Sequence, residues 1–337
     1  AGVEAAAHHS WRGSRVMRAL QIQAPGRAEV VDIAMPQPGP GEVRVRVTLV
    51  NTCPQWDLHL DAGEPMFVGQ QISYPYTAGQ PGHEMVGVVD AIGEDVTTFR
   101  VGQRVAAWRD AGHHRQGCYA EFVNHLEANL LPVPDHVKDR AVASLELAMC
   151  VAVSILPLKR LGAIEGKRAA VNGLGPAGMI AAQVLRAEGA ASVTGFEPHP
   201  ARRDLATGYA VDEALDPHDP ATIERYPHRH CAECLEVGVD CAGYPDAVRF
   251  FMDRVRWHVA LFAVQRHDYT YARTHSGLTV VGYAGHHRAA AEYALEMIAA
   301  GKLDLRPLIS VELPLERYAE GVALLRQQQA LKIGFRP

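Results

Sequence analysis

Two short runs bring together side chains that could do chemistry. "NTCPQWDLHL" (residues 51–60) holds Cys53, Asp57 and His59, and "PGHEMVG" (residues 81–87) adds His83 and Glu84. Thiolate with imidazole is a donor pair that suits zinc, which can act as a Lewis acid on a substrate oxygen. The competing reading of Cys53 is a small buried residue, since free cysteines often fill cores.

A third run points to a nucleotide. "AAVNGLGPAGMIAAQVL" contains Gly173, Gly175 and Gly178 as G-x-G-x-x-G, between an apolar strand-like run and a helical one. A second strand-like run ends at Glu197, 19 residues after Gly178. In such a unit the first glycine permits a tight turn. The second lets backbone approach a pyrophosphate, and the third lets helix and strand pack closely. Phosphates then rest on free N–H groups at the helix start. Glu197 is placed to accept hydrogen bonds from ribose hydroxyls, and its charge opposes a 2′-phosphate. NAD is therefore expected ahead of NADP, although Arg202 and Arg203 nearby weaken that preference.

"HRHCAEC" (residues 228–234) pairs Cys231 and Cys234 with His228 and His230. A C-x-x-C pair binds structural zinc firmly when a second pair exists, and none is visible. His113 and His114 lie in a loop; they either face a cleft or are solvated, and solvation is the expectation.

The elements that must position these groups change character along the chain. "RALQI", "AEVVDIA", "EVRVRVTLV", "MVGVVDAI" and "RVAAW" are short β-branched runs parted by turn residues, as in an antiparallel barrel or sandwich. From about residue 147, strand-like runs alternate with helical ones, the pattern of a covered parallel sheet. In "PAGMIAAQVLRAEG", Ala177, Ile180, Ala181, Val184 and Leu185 share one helix face. The final "ALKIGFRP" is expected to return as a strand to the first half.

Length and composition fit a two-domain globular chain: 337 residues, 48% hydrophobic, 21% charged, net charge −5. There is no basic stripe, so nucleic acid is not an expected partner. The apolar stretch Leu145–Leu158 is broken by Glu146 and Pro157, and no membrane partner is expected. Six cysteines do not make a disulfide scaffold, which favours a cytoplasmic chain with free thiols. Residues 1–16 lack the apolar core of a signal peptide and read as a disordered extension.

In sequence the chain resembles the medium-chain dehydrogenase/reductase superfamily of zinc alcohol and polyol dehydrogenases. The likeness runs from Met17 to Pro337. It is carried by "PGHEMVGVVDAIGEDVTTFRVGQRVA", then in order by "GCYAEF", "NGLGPAG", "GVDCAG" and "IAAGKLDLRPLIS…LPLERYAEGVALL…ALKIGFRP". It implies an α/β plus β chain, a GroES-like catalytic domain with a Rossmann dinucleotide-binding domain. The expected boundaries are 17–147 for the first, 148–290 for the second and 291–337 for a return to the first. The resemblance further implies NAD(P)-dependent hydride transfer between a small-molecule secondary alcohol, polyol or sugar-like, and its ketone, in homodimers or homotetramers.

Carried over residue by residue, the family's catalytic zinc ligands fall on Cys53, His83 and either Cys150 or Glu146, with Glu84 able to approach the metal. Two departures stand out. Cys53 is four residues before Asp57 instead of three, so Pro54 holds the expected ligand position. Cys150 lies 23 residues before Gly173, one closer than the family's third ligand, and gap-free matching puts Met149 there. A strand bulge or a changed helix start would absorb either shift. The family's relay hydroxyl is replaced by Trp56, which leaves His59 as the candidate to move the substrate proton. Asp57 is expected to fix local geometry, and Trp56 to shape the pocket. The cysteine-rich lobe of a structural zinc is missing, because "AWRDAGHHRQGCYAEF" holds only Cys118. Three readings stay open: a zinc-assisted dehydrogenase, a zinc-independent reductase of quinone or enoyl type, and a non-catalytic cofactor-binding relative.

Overall fold

The computed structural model describes residues 16–67, 69–264 and 267–337. Residues 1–15 of the stretch read as an extension lie outside these, and Val16 already starts the first strand. β1 (Val16–Ala24) and β2 (Arg27–Ala34) form a hairpin. β3 (Glu42–Asn51), β4 (Glu84–Ile92), β5 (Arg104–Ala107) and β7 (Leu130–Pro132) are successive antiparallel neighbours in a second sheet, with β6 (Phe122–Leu126) along the first half of β3. Alternation drives this half. In β3, Val43, Val45, Val47 and Leu49 are buried while the residues between them are more open. Helix α1 (Pro54–Ala62) follows β3, and α2 (Asp139–Val142) and α3 (Leu145–Arg160) lead out of this half.

Six parallel strands make the other half: β8 (Arg168–Asn172), β9 (Ser192–Phe196), β10 (Glu213–Leu215), β11 (Leu235–Asp240), β12 (Val255–Leu261) and β13 (Thr279–Gly282). Their spatial order is β10-β9-β8-β11-β12-β13. This is the doubly wound order of a dinucleotide-binding sheet, and it reverses between β8 and β11. A crevice forms where the order reverses, outside the carboxyl ends of the strands. Helices α4 (Pro176–Ala187), α5 (Pro200–Thr207), α6 (Pro220–Arg225) and α7 (Pro245–Met252) join the strands, each with proline in its first turn, where no backbone N–H is missed. After α8 (Arg288–Ala299), β14 (Ile309–Pro314) and α9 (Tyr318–Arg326), strand β15 (Lys332–Arg336) pairs with the end of β3.

Two sequence expectations need correction. The helical stretch Asp139–Arg160 is long and apolar enough to cross a membrane by length and composition, because Glu146 and Pro157 lie within it without ending it. Of its most apolar window, 78% is buried inside the protein, where α3 packs against α4 and α8 as a core helix. Helix α4 is buried on nearly every side instead of one face, since it lies between β8, β9 and α3.

One backbone crossing holds the loop before β4. Gly79 has φ +78°, and a Cβ there would lie 2.1 Å from the carbonyl oxygen of Gly117. A Cβ on Gly117 would lie 2.2 Å from the oxygen of Gly79. The two chains touch main chain to main chain, and Tyr119 N–H donates to Gly79 O at 3.0 Å.

Candidate active site

His83 stands at the end of that loop, directly before β4, and is buried. Its Nδ1 lies 2.8 Å from the carbonyl oxygen of Pro81. A carbonyl only accepts, so Nδ1 carries a proton and the other nitrogen, Nε2, is turned to the site. Nε2 lies 3.5 Å from Glu146 Oε2. Cys53 is beside it: one donor atom from each of Cys53, His83 and Glu84 falls within a 4.8 Å cluster. Burial opposes charging of His83, but the hydrogen bonds and charges of Cys53 and Glu146 outweigh it and hold its pKa well above the ordinary histidine value.

Cys53 is not in a strand. β3 ends at Asn51, and Cys53 caps the start of α1 with φ −95° and ψ 96°. Both features that would absorb its one-residue displacement occur: the β3–β4 register shifts between Val47 and Leu49, and α1 starts directly after Cys53. Pro54 sits in the first turn of α1, where its ring suits the helix, and Cys53 turns toward His83.

Glu84 is occupied. Lys332 Nζ donates to both its oxygens at 2.6 and 2.7 Å and to Thr52 O at 2.6 Å, with both side chains fully buried. Asp57 is likewise buried and accepts from Tyr119 and Tyr318 hydroxyls at 2.9 and 2.8 Å. Burial lifts its pKa to about 6 against the pull of those two hydroxyls. It ties α1 to α9 and to the loop crossing. Trp56 is buried, with its ring 5.1 Å from that of His83 and 4.5 Å from that of His113. Its indole N–H has no partner among the described residues. His59 is largely covered, with Nδ1 3.8 Å from Glu64 Oε2.

Helix α3 settles how Glu146 and Cys150 relate. They are one turn apart on the same face. Cys150 donates to Glu146 Oε1 at 3.1 Å, and burial with the neighbouring carboxylate pushes its thiol pKa well up. Met149 is fully buried in the core and faces no ligand cluster among the described residues. The sequence reading missed His286, whose Nε2 lies 2.9 Å from Glu146 Oε1. It also missed Tyr283, whose hydroxyl is 3.1 Å from Cys150 Sγ. Burial opposes ionisation of Glu146, yet hydrogen bonds and charge from His286 and His83 hold its pKa far below the usual carboxylate range.

In the other half, the three glycines differ as their spacing implies. Gly173 has φ +85°; around Gly175 a Cβ would meet nothing within 4 Å; at Gly178 it would lie 1.8 Å from Gly173 O. Gly175 caps α4 with no side chain over the helix start. Glu197 follows β9, is buried, and accepts from Leu174 N–H at 2.9 Å and His199 N–H at 3.0 Å. Arg202 Nη1 lies 3.9 Å from its Oε2, whereas Arg203 turns to the carbonyls of Glu197 and Pro198.

The remaining sulfur sites stand apart. Cys118 is buried, and burial pushes its thiol up to about 12. Cys234 is buried, with Sγ 3.7 Å from Arg168 Nη2 and 3.9 Å from Arg256 Nη1. Among the described residues, the His228–Cys234 run forms no cluster with ligand geometry.

With this geometry in place, comparison with known proteins defines the class. Residues 39–135 match the alcohol dehydrogenase GroES-like domain. An L-threonine 3-dehydrogenase of Caldanaerobacter subterraneus subsp. tengcongensis is 26% identical, the match covering 92% of this chain and 95% of that one. A sorbitol dehydrogenase of Halalkalibacterium halodurans is 24% identical over 93% of this chain and 96% of its own. An Escherichia coli CFT073 alcohol dehydrogenase solved with NADH superposes with a TM-score of 0.83 at 20% identity, covering 96% of this chain and all of that one. Over nearly its whole length the chain is similar to dehydrogenases of this kind, in agreement with the resemblance to the medium-chain dehydrogenase/reductase superfamily. It combines a GroES-like domain with a Rossmann domain and is an alcohol dehydrogenase-like oxidoreductase.

Proposed function

We propose that the chain interconverts a secondary alcohol of polyol or sugar-like type and its ketone, with NAD as hydride carrier and one zinc ion held by Cys53, His83 and Glu146. His83 is the observation that supports this best. With Nδ1 committed to Pro81, a neutral ring would turn its Nε2 lone pair toward the carboxylate of Glu146. Two acceptors face each other, and a proton or a metal cation is needed between them. Their 3.5 Å separation is close to the edge of about 3.3 Å expected between two ligands on a tetrahedral zinc. Thiolate, imidazole and carboxylate are a donor set suited to that ion. Glu84, neutralised by Lys332, is left out of the set and instead stiffens the start of β4.

When bound, zinc polarises the substrate oxygen and the nicotinamide accepts the carbinol hydride. The chain's own residues do the rest. The bare backbone at Gly175 and the start of α4 receive the pyrophosphate. Glu197, pinned by two backbone N–H groups, presents its remaining lone pairs to the ribose and disfavours a 2′-phosphate. Trp56 walls the site beside His83. His59, with Nδ1 3.8 Å from Glu64 Oε2, passes the hydroxyl proton outward. The open edge of β13 at the end of the sheet suits pairing of two copies into a homodimer or a larger homo-oligomer.

Elemental analysis of the purified chain, with activity on a polyol panel, tests this reading. About one zinc per chain is expected, lost in Cys53→Ala and His83→Ala. Full activity in a metal-free chain would mean that a zinc-independent reductase is the better reading. A preference for NADPH over NADH would remove the role given to Glu197.

A further inference from the structure

Glu146 lies between two imidazoles that come from opposite halves of the molecule. Oε2 faces His83 Nε2 at 3.5 Å, and Oε1 faces His286 Nε2 at 2.9 Å. His286 follows β13, four residues beyond Gly282, where Gly285 with φ +87° turns the chain before α8. It therefore stands outside the carboxyl end of a parallel strand, the side of such a sheet where ligands bind. One donor atom each from Glu146, Cys150 and His286 falls within a 4.8 Å cluster.

Among the described residues no lysine or arginine pairs with this carboxylate, although it is buried. Two imidazoles and one carboxylate are a donor set that holds zinc at open catalytic sites. Cys150 fits less well as a ligand. It spends its hydrogen on Glu146 at 3.1 Å. Tyr283 also occupies it at 3.1 Å.

We propose that His286 is a direct ligand of the divalent ion, so that the parallel-sheet half supplies one donor to a centre otherwise built on Cys53, His83 and Glu146. The inference rests on the metal-assisted reading above. The imidazole that hydrogen-bonds Glu146 at 2.9 Å would share the ion with that carboxylate. Cys53, His83, Glu146 and His286 would then hold the ion, which would supply Lewis-acid chemistry to the substrate oxygen. The ion then also fastens the two halves together at the mouth of the nucleotide crevice.

The test uses the full chain stripped of metal and reloaded with Zn2+ or Co2+. His286→Ala and His286→Gln are compared with wild type by zinc affinity against a chromophoric chelator and by the cobalt spectrum. His286 is 28% exposed, so neither change hollows the core, and thermal unfolding of the metal-free forms checks this. Expected is a loss of zinc affinity in both variants greater than the roughly 10–100-fold that an outer hydrogen-bonding partner is worth. The visible cobalt bands should change intensity, while the thiolate-to-cobalt band stays and is lost only in Cys53→Ala. Glutamine can still donate to Glu146 but is a poor ligand, so wild-type behaviour in His286→Gln would overturn direct ligation. Loss of the thiolate band in Cys150→Ala, with the band kept in Cys53→Ala, would overturn the centre built on Cys53 by moving the ion onto Cys150. If both His286 variants hold one zinc as tightly as wild type, His286 alone loses its role. If wild type binds neither metal, the metal-assisted reading falls as well.

Discussion

Glu84 and Glu146 are buried carboxylates on either side of His83, and they are neutralised in opposite ways. Glu84 receives its cation from the chain itself, through Lys332 at 2.6 and 2.7 Å. Among the described residues, Glu146 receives two imidazoles and a thiol and no lysine or arginine. A carboxylate satisfied by a lysine is closed to exchange, because removing either partner strands a charge in the interior. One surrounded by groups that can give up their protons is ready for a metal ion. The difference separates the residue that holds the site's shape from the one that does its chemistry. Asp57 is a third case, a carboxylate held by two tyrosine hydroxyls.

Lys332→Met should break the comparison most severely. It leaves Glu84 buried without a partner and should cost about 3–5 kcal/mol of stability in urea unfolding. Adding Glu84→Gln should recover most of that loss. If the single change is neutral, Glu84 is no structural anchor.

Asp57 provides a pH test. Its pKa rises from 3.8 to about 6 on folding, so the folded chain binds more protons between those values. Stability should therefore fall as pH rises through this window, and the cost is fully present above about pH 6. Relative to Asp57→Asn, the wild type should lose on the order of 2–3 kcal/mol from pH 4 to pH 6.5. Parallel profiles for the two would show that the tyrosine hydroxyls compensate the charge completely.

Glu146→Gln should behave unlike either. The metal-free protein should lose stability at neutral pH, because the carboxylate that holds the His83 pKa up is gone, and this loss should shrink once pH is high enough to leave His83 neutral. The gain from added zinc, about 2.7 kcal/mol at a hundred times the dissociation constant, should vanish. A thermal-shift series with and without zinc reads both. Cys231→Ala should have the smallest effect, within about 0.5 kcal/mol and with unchanged metal content, because that half-buried cysteine belongs to no donor cluster among the described residues.

How far each region was legible in the sequence follows from how local it is. The nucleotide crevice depends on a strand, a turn and a helix within thirty residues, so Gly173, Gly175, Gly178 and Glu197 announce themselves by spacing. The proposed metal cluster draws on four distant segments. Cys53 and His83 were visible by type, but the offset at Cys53 depends on how β3 pairs with β4 and on where α1 starts, and both are set by tertiary pairing. The choice between Glu146 and Cys150 looked like a question of register. In the structure both point the same way, being one helical turn apart. His286 pairs with Glu146 across 140 residues, and no local pattern marks that. The available signal was positional, a histidine just beyond the carboxyl end of a parallel strand. Lys332 also left a trace, a lone charge inside the apolar run "ALKIGF".

The crossing of Gly79 and Gly117 bears on how any survey of variants should be interpreted. Each carbonyl occupies the space that the other residue's first side-chain atom would need. Every replacement at either position collides with main chain, which cannot step aside as a flexible side chain can. In a saturation screen these two positions should therefore be as intolerant as the metal ligands, although neither carries a side chain for chemistry. A map of forbidden substitutions would place the hinge of the His83 loop and its working atoms in one class. Metal content tells them apart only in variants that still fold.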